Sequence, residues 1–285
     1  MRLTPACPDL ADERLRGRVE ARRYAVGRLA RIVAPSAPLR RRPASDAPLD
    51  TEALMGEMVT VFDEADGYAW VQLAADRYVG YLPGSVLGEA GPDPTHRVQA
   101  LRTFIYPGPD LKLPPAAFLS FGAGVTAAGP ERDGYLPLST GGFVFVGHVV
   151  ALDAVEPDFV AVAERFLGTP YLWGGKTSLG LDCSGLVQLA LAAAGIACPR
   201  DSDMQEAALG RLIELPPDLS GLRRGDLVFW RGHMGVMLDP ERLLHANGHH
   251  MAVAIEPLFA AERRIRGNSF GPITSVRRLE AASRA

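Results

Sequence analysis

The chain has 285 residues, too many for one ordinary small core and suited to two or three domains. Apolar residues make up 47% of it and charged residues 22%, a composition that excludes a disordered protein. The net charge of −3 gives no general attraction for nucleic acid, and the longest apolar run, around residues 186–198, is too short to span a membrane. We therefore expect a globular protein with neither nucleic acid nor a membrane as a partner.

The cysteines and the N-terminus predict the cellular location. Cys7, Cys183 and Cys198 are odd in number and unevenly spaced, so they form neither a disulfide framework nor a CxxC metal motif. Such sparse cysteines fit a reducing compartment. The opening residues, MRLTPACPDLADERLRGR, contain no apolar run of the kind that a signal peptide needs. The sequence thus predicts a cytoplasmic protein.

The first fifty residues are basic, with eleven Arg against six Asp and Glu. Residues 9–31 have the spacing of a short amphipathic helix, so residues 1–29 are predicted as a helical segment. The Arg excess is interpreted as a solvated helix face rather than a functional basic patch. Residues 34–49, rich in Pro, Ala and Arg, are predicted as a loop.

Short alternating runs follow, and they predict β-barrels. MVTVFDE, YAWVQLA and RYVGYLP are separated by turn residues at the spacing of a small barrel. At an offset of 67 residues, Asp66-Gly67-Tyr68 returns as Asp133-Gly134-Tyr135, and Tyr78-Val79-Gly80 returns as Phe145-Val146-Gly147. Matches at one period predict two copies of one barrel, over residues 30–92 and 93–150.

The last part of the chain, residues 151–285, changes to an α+β pattern. Residues 154–168 have helical spacing, and an apolar helix runs from Cys183 to Gly195. The runs GDLVFW, MGVMLD and LLHANG then predict short strands joined by turns. A GGKTS sequence at 174–178 lacks the earlier Gly and the following helix of a phosphate-binding loop, so that function is rejected.

Cys183 is the first candidate for chemistry. Asp182 is a natural N-cap, which puts the thiol in the first turn of a helix, where unpaired N–H groups and the helix dipole favour negative charge. A thiol there is expected to ionise more readily, although the charge of Asp182 opposes this. Cys198 is interpreted as structural. From this helix alone, a buried core cysteine is as good an interpretation of Cys183 as a nucleophile.

Two histidines favour the nucleophile. His233 and His245 lie on neighbouring predicted strands, which can place both side chains on one face. A thiol, a histidine base and a third group that orients the base form the general layout of nucleophilic acyl transfer. A zinc site made by the same three residues is a weaker alternative, because no two ligands are closely spaced in the sequence. No metal or other cofactor is expected.

The motifs of this region resemble those of the NlpC-type cell-wall cysteine peptidases. GTPYLWGGKTSLGLDCSGLVQ, RRGDLVFWRGHMGVML and LLHANG match in order, over roughly residues 155–275. The resemblance implies a compact papain-like α+β catalytic domain. The two upstream barrels resemble bacterial SH3 domains. The combination resembles a cytoplasmic branch that cuts γ-D-glutamyl–diaminopimelate or γ-D-glutamyl–lysine bonds in murein peptides with a free N-terminal L-alanine, in peptidoglycan recycling.

The resemblance also implies roles for individual residues. Cys183 becomes the nucleophile, His233 the general base and His245 the residue that orients it, with Tyr171 near the oxyanion hole. Acids and hydroxyls in both regions are expected to bind the murein-derived peptide, including its free amine: Glu57, Tyr78, Asp182, Ser184, Asp201 and Ser202.

Two alternatives stay open. An amidase or acyltransferase of the same fold on another substrate would use the same residues. A murein- or peptide-binding SH3 protein with a vestigial catalytic domain is a different class, against which the intact cysteine and histidines argue. The sequence leaves the choice of diaminopimelate or lysine, the oligomeric state and the role of the Arg-rich segment undecided.

Overall fold

A computed structural model describes residues 2–214, 216, 218–268 and 270–280. The chain divides into two compact units, Met1–Ala154 and Val155–Ala285. The boundary predicted from the sequence lies at 150/151, four residues earlier. Within the described ranges, no helix is both long and apolar enough to cross a bilayer.

The N-terminal segment is not the predicted amphipathic helix. Strands β1 (Leu10–Asp12) and β2 (Arg23–Ala25) pair in parallel and are separated by a 3-10 turn at Glu13–Leu15. Tertiary packing overrides the helical spacing, because Leu10 lies in a cluster with the aromatic rings of Phe62 and Trp70 from the following barrel. The prediction of a helical segment is therefore wrong.

The Arg excess of this segment matches the interpretation as a solvated surface. Arg16 pairs with Glu13, and Arg23 with Asp63 at 2.6 Å, on exposed side chains. Such exposed pairs add little stability. The pairs nevertheless place an acidic partner beside these basic side chains.

Seven strands form the first barrel. They are β3 (Arg28–Ile32), β4 (Ser36–Arg40), β5 (Leu49–Leu54), β6 (Met58–Ala65), β7 (Tyr68–Leu73), β8 (Val79–Pro83) and β9 (Leu87–Glu89). Their order in the sheet is β5-β4-β8-β7-β6-β3-β9. The predicted loop at 34–49 is wrong near its start, where β4 lies, and at its last residue, where β5 begins. In β4, buried Ala37 and Leu39 alternate with less buried neighbours, and this period of two is typical of a strand.

The second half of this unit repeats the strand order of the first. Its strands are β10 (His96–Val98), β11 (Arg102–Tyr106), β12 (Ala117–Ser120), β13 (Gly124–Val125), β14 (Tyr135–Pro137), β15 (Phe143–Phe145) and β16 (Val149–Ala151). They form two sheets, β12-β11-β15-β14 and β13-β10-β16, which is the order of the first barrel split once. The turns repeat too: Asp66 and Asp133 both have φ of 50°.

One detail of the repeat is corrected by the strand registers. Tyr68 lies opposite Pro83, whereas Tyr135 lies opposite Phe145. The connection is therefore five residues shorter in the second copy, and Phe145 corresponds to Pro83 rather than to Tyr78. The equivalence of Tyr78 and Phe145 that the sequence offset predicts is therefore wrong.

The second unit packs helices against an antiparallel sheet. Its elements are α1 (Phe159–Glu164), β17 (Lys176–Thr177), β18 (Gly180–Leu181), α2 (Cys183–Ala193), α3 (Ser202–Ala208), β19 (Arg211–Leu212), β20 (Leu227–Trp230), β21 (His233–Met237), β22 (Arg242–Asn247), β23 (Ala252–Pro257), α4 (Leu258–Asn268) and β24 (Ser275–Arg278). The strand order is β19-β24-β20-β21-β22-β23. Helix α2 packs against β21 and β22, which fixes its start relative to the sheet.

Candidate active site

The start of helix α2 is held by Asp182, as predicted. This N-cap accepts hydrogen bonds from the backbone N–H of Gly185 at 2.7 Å and of Gly174 at 2.9 Å. It also accepts from the hydroxyl of Ser184 at 3.2 Å. These bonds satisfy donors at the helix start, and they fix Cys183 as the first helical residue.

Arg200 is a residue of this region that the sequence analysis missed. Its guanidinium is 1% exposed and donates to both carboxylate oxygens of Asp182, at 2.9 and 2.7 Å. It also donates to the hydroxyl of Ser184 and to the carbonyl of Gly175. Asp182 is thus the acid of a buried ion pair. No sequence pattern marks this role, because an Arg before a helix is ordinarily exposed.

Cys183 lies 7% exposed at this helix start. Burial raises the pKa of its thiol to about 12, and the charge of Asp182 adds to this effect. Backbone hydrogen bonds from Met234 and Ser184, and the charge of Arg200, act in the opposite direction but are weaker. Loss of solvent thus outweighs the effect of the helix start, which argues against a readily ionised thiol in the substrate-free protein.

His233 and His245 share one face of the sheet, as predicted. The two-residue turn Arg231-Gly232 joins β20 to β21, and its Gly232 has a φ of 81°, which favours glycine. The turn places His233 opposite Trp230 at the start of β21. Nε2 of His233 then lies 2.9 Å from Nδ1 of His245 on β22. Since Met234 touches the sulfur, the same strand start adjoins Cys183.

The contacts continue beyond the predicted residues to Glu256 and Arg264. Nε2 of His245 lies 2.8 Å from Oε1 of Glu256, and Arg264 donates to both oxygens of that carboxylate at 2.6 Å. The register pairs His245 with Ala254, so Glu256 is a diagonal neighbour on the same face. In the sequence, the alternating run AVAIEP indicates a strand, and this pattern was the signal that could have identified Glu256.

The histidines are neutral in this environment. Burial lowers the pKa of His233 to about 3, with His245 and Arg264 adding to the shift and Glu256 opposing it. Burial also lowers the pKa of His245. Burial acts to raise the pKa of Glu256, but the hydrogen bonds from Arg264 and His245 outweigh it and hold that pKa far below its usual range. The site thus contains a buried thiol, two neutral imidazoles and the ion pair of Glu256 with Arg264.

A cavity of about 280 Å³ adjoins His233. Tyr171 and Phe270 are among its lining residues. The ring of Phe270 stacks on that of His233, with centroids 5.6 Å apart. Burial raises the pKa of Tyr171 above its usual value, and the nearby Cys183 and Asp182 add to this, so its hydroxyl keeps the proton as a donor. The cavity therefore offers a substrate a neutral base and a hydroxyl donor.

The remaining predicted residues lie in different places. In the second unit, Asp201 is the N-cap residue of α3 and Ser202 its first residue, whereas Ser184 is buried and bonded to Asp182 and Arg200. In the first unit, Glu57 lies between β5 and β6, and Tyr78 is buried in the barrel core. Their substrate-binding roles stay predictions.

Among the residues that the structure describes, one group of side chains has ligand atoms close enough together for a metal ion. His245, His250 and Glu256 place one such atom each within 4.8 Å of the others. The nitrogen and oxygen that His245 and Glu256 would offer are already hydrogen-bonded to each other, and Arg264 balances the carboxylate. The arrangement therefore suits proton placement better than metal binding.

Comparisons with known proteins agree with this geometry. The sequence model of the NlpC/P60 family matches residues 168–263, and that of the bacterial dipeptidyl-peptidase SH3 domain matches residues 39–87. The second unit therefore carries an NlpC/P60 domain and the first a bacterial SH3 domain, which confirms the predicted family and the papain-like α+β fold. The SH3 identity of the second barrel stays a prediction.

Individual relatives give the same result. Dipeptidyl-peptidase 6 of Lysinibacillus sphaericus is 33% identical over 100 residues, which are 35% of this chain and 35% of that protein. The chain thus spans about a third of that relative's length. The γ-D-glutamyl-L-lysine dipeptidyl-peptidase of Bacillus cereus is 25% identical over 244 residues, covering 74% of this chain and 71% of the relative.

A solved structure shares the fold. An NlpC/P60 family protein from Bacillus cereus superposes with a TM-score of 0.71 at 20% identity, covering 88% of this chain and 99% of that one. This likeness supports the predicted fold.

Proposed function

We propose that the protein is a cysteine endopeptidase that cleaves the bond between γ-D-glutamate and a diamino acid, diaminopimelate or lysine, in murein peptides. The observation that carries the proposal is that the hydrogen-bonded pair His233 and His245 begins at a strand start whose next residue, Met234, bonds the helix-start thiol of Cys183. The names of the relatives support the choice of bond, since the Bacillus cereus protein is a γ-D-glutamyl-L-lysine dipeptidyl-peptidase.

In the proposed mechanism, proton transfer accompanies attack. Because the thiol of Cys183 is protonated and His233 is neutral at rest, His233 takes the thiol proton as the sulfur attacks the γ-glutamyl carbonyl. The carbonyl becomes a tetrahedral oxyanion. His233 then gives the proton to the leaving amine, and a water that it activates releases the glutamyl product from the sulfur.

The oxyanion needs donors that are in place before the reaction. The first turn of α2 supplies backbone N–H groups beside the sulfur, and the Tyr171 hydroxyl stays protonated because burial raises its pKa. Removing one such donor typically costs on the order of 10²–10³ in kcat. Tyr171→Phe is therefore expected to lower kcat within that range, with a smaller change in KM.

We further propose that the substrate carries a free N-terminal L-alanine and that the enzyme acts in cytoplasmic peptidoglycan recycling. In the second unit, Asp201 at the start of α3 is the acid proposed to bind the substrate amine. The free thiols of Cys7, Cys183 and Cys198 fit a reducing compartment.

The test is hydrolysis of L-Ala-γ-D-Glu-diaminopimelate and of its lysine counterpart, with products identified by mass. Wild type and the control Cys198→Ala are expected to cleave at the γ-glutamyl bond, and Cys183→Ala to be inactive. Equal turnover by Cys183→Ala contradicts the mechanism. Unchanged cleavage after N-acetylation of the peptide contradicts the free-amine requirement and favours an amidase of broader substrate range.

A further inference from the structure

An unbroken line of contacts runs from His233 through His245 and Glu256 to Arg264. The three steps measure 2.9 Å between the imidazoles, 2.8 Å from His245 to the carboxylate, and 2.6 Å for each bond from the guanidinium. His245 is 0% exposed and Glu256 is 9% exposed, so water has little access to the inner steps. The hydrogen-bonding groups of this line, rather than water, therefore determine which ring nitrogens carry protons.

The chemistry of each member dictates where those protons lie. An ionised carboxylate only accepts, so Nε2 of His245 must carry a proton towards Glu256. Nδ1 of a neutral His245 is then an acceptor, and Nε2 of His233 must carry the proton between the rings. Nδ1 of His233 is left with its lone pair, as a base for the thiol requires.

The position of the His233 ring, by contrast, is held by neighbours other than Glu256. Phe270 stacks on His233 at 5.6 Å with an angle of 12° between the planes, and Trp230 lies 5.7 Å away on β20. Both rings hold His233 in place whichever nitrogen is protonated. The carboxylate therefore has a separate effect, on protons rather than on geometry.

We propose that Glu256, fixed by Arg264, is a positioning residue that sets the tautomers of both histidines and so keeps Nδ1 of His233 free to act as the base. In the step that it serves, the S–H bond of Cys183 breaks, an N–H bond forms at Nδ1 of His233, and the electron pair stays on sulfur. The protons on Nε2 of both histidines stay where they are. The proposal rests on the proposed function only in taking Cys183 as the nucleophile.

Several other charged or titratable groups lie around the two histidines. Arg264 and His250 act against the charged form of His245, and Glu256 favours it. Tyr171 lines the same cavity as His233, and Cys183 lies beside the strand start. Of these, Glu256 is the anion that bonds an imidazole directly. Its removal should therefore move protons in a way that the other groups do not.

The direct test is side-chain ¹⁵N NMR of the substrate-free protein near neutral pH, with assignment by single histidine variants. We expect Nε2–H tautomers for both His233 and His245 in the wild type. In Glu256→Gln, an amide N–H can donate to Nε2 of His245, so we expect that histidine to become the Nδ1–H tautomer and His233 to follow.

Kinetics then test the consequence. An Asn in place of the Asp that orients a catalytic His costs about 10⁴ in kcat in serine proteases through the wrong tautomer. We expect Glu256→Gln to lower kcat by on the order of 10² or more, with a KM change below about threefold, and Glu256→Asp to restore part of the loss because it keeps a carboxylate.

Asp226→Asn is the matched control, because Arg278 donates to both oxygens of this buried acid at 2.7 Å next to β20. It should lower stability without changing tautomers or kcat. An equal loss of kcat in both variants, or unchanged tautomers in Glu256→Gln, overturns the proposal. So does an Nδ1–H tautomer of His245 in the wild type, a result that stands even if Glu256→Gln fails to fold. Because the spectra need no substrate, failure to cleave murein peptides would refute the proposed function alone.

Discussion

The buried pair of Asp182 and Arg200 gives a prediction about stability. In Asp182→Asn the guanidinium of Arg200, 1% exposed, loses its anionic partner, whereas its bonds to the Ser184 hydroxyl and the Gly175 carbonyl remain. Breaking a buried pair by removing one partner typically costs about 3–5 kcal/mol. We expect the second unit to lose that much free energy of unfolding.

The assay is urea denaturation followed by the fluorescence of Trp230, which is buried in the second unit. A Trp70→Phe background removes the buried reporter of the first unit. Glu156→Gln is the control, since its pair with Arg165 is 3.7 Å long, half-exposed and expected to contribute less than about 1 kcal/mol. The double variant Asp182→Asn/Arg200→Met should regain part of the loss, because no charge is then left buried and unpaired.

A loss in Asp182→Asn no larger than in Glu156→Gln would refute the reasoning. It would mean that the guanidinium reaches water or other acceptors once the carboxylate charge is gone. Cys183 would then depend less on this pair for its position than its hydrogen bonds indicate.

Three further predictions follow from burial and close packing. Folding lowers the pKa of His233 to about 3, so the unfolded chain binds more protons than the folded chain below about pH 6.5. The free energy of unfolding should therefore fall as the pH drops below that value. In His233→Asn it should fall less steeply. Iodoacetamide should label Cys183 more slowly near neutral pH than the same thiol in urea, since burial raises its pKa to about 12; faster labelling in the folded protein would contradict this. Gly185→Ala places a Cβ 2.4 Å from the carbonyl oxygen of Gly175 and should lower the melting temperature and the activity, whereas Gly267→Ala, with no atom within 4 Å of the new Cβ, should lower neither.

Much of the catalytic unit could be predicted because its signals are local. A capping Asp before an apolar run favours a helix start through local hydrogen bonds alone, so the sequence predicts Cys183 at the start of α2. Alternating runs joined by a short turn place His233 and His245 on one face, which the 2.9 Å contact confirms. The repeat of the first unit was visible for the same reason, since its turns recur as Asp-Gly pairs.

The wrong predictions concern segments whose structure depends on contacts with distant parts of the chain. The spacing of residues 9–31 fits a helix, but Leu10 gains more by packing against the barrel aromatics, and the segment forms strands. The register of the second copy was misjudged because a five-residue deletion leaves the flanking motifs similar. Sequence offsets alone cannot distinguish these arrangements.

The sequence by itself determined the helix start at Cys183, the shared face of the two histidines and the order of the SH3 and NlpC/P60 domains, because each depends on residues close together in the chain or on motifs in a fixed order. Only the tertiary structure decided the electrostatics around them. Arg200, Glu256 and Arg264 come from separate elements, and the solvent that burial removes is a property of the folded unit. The protonation of Cys183 and His233 therefore depends on the fold.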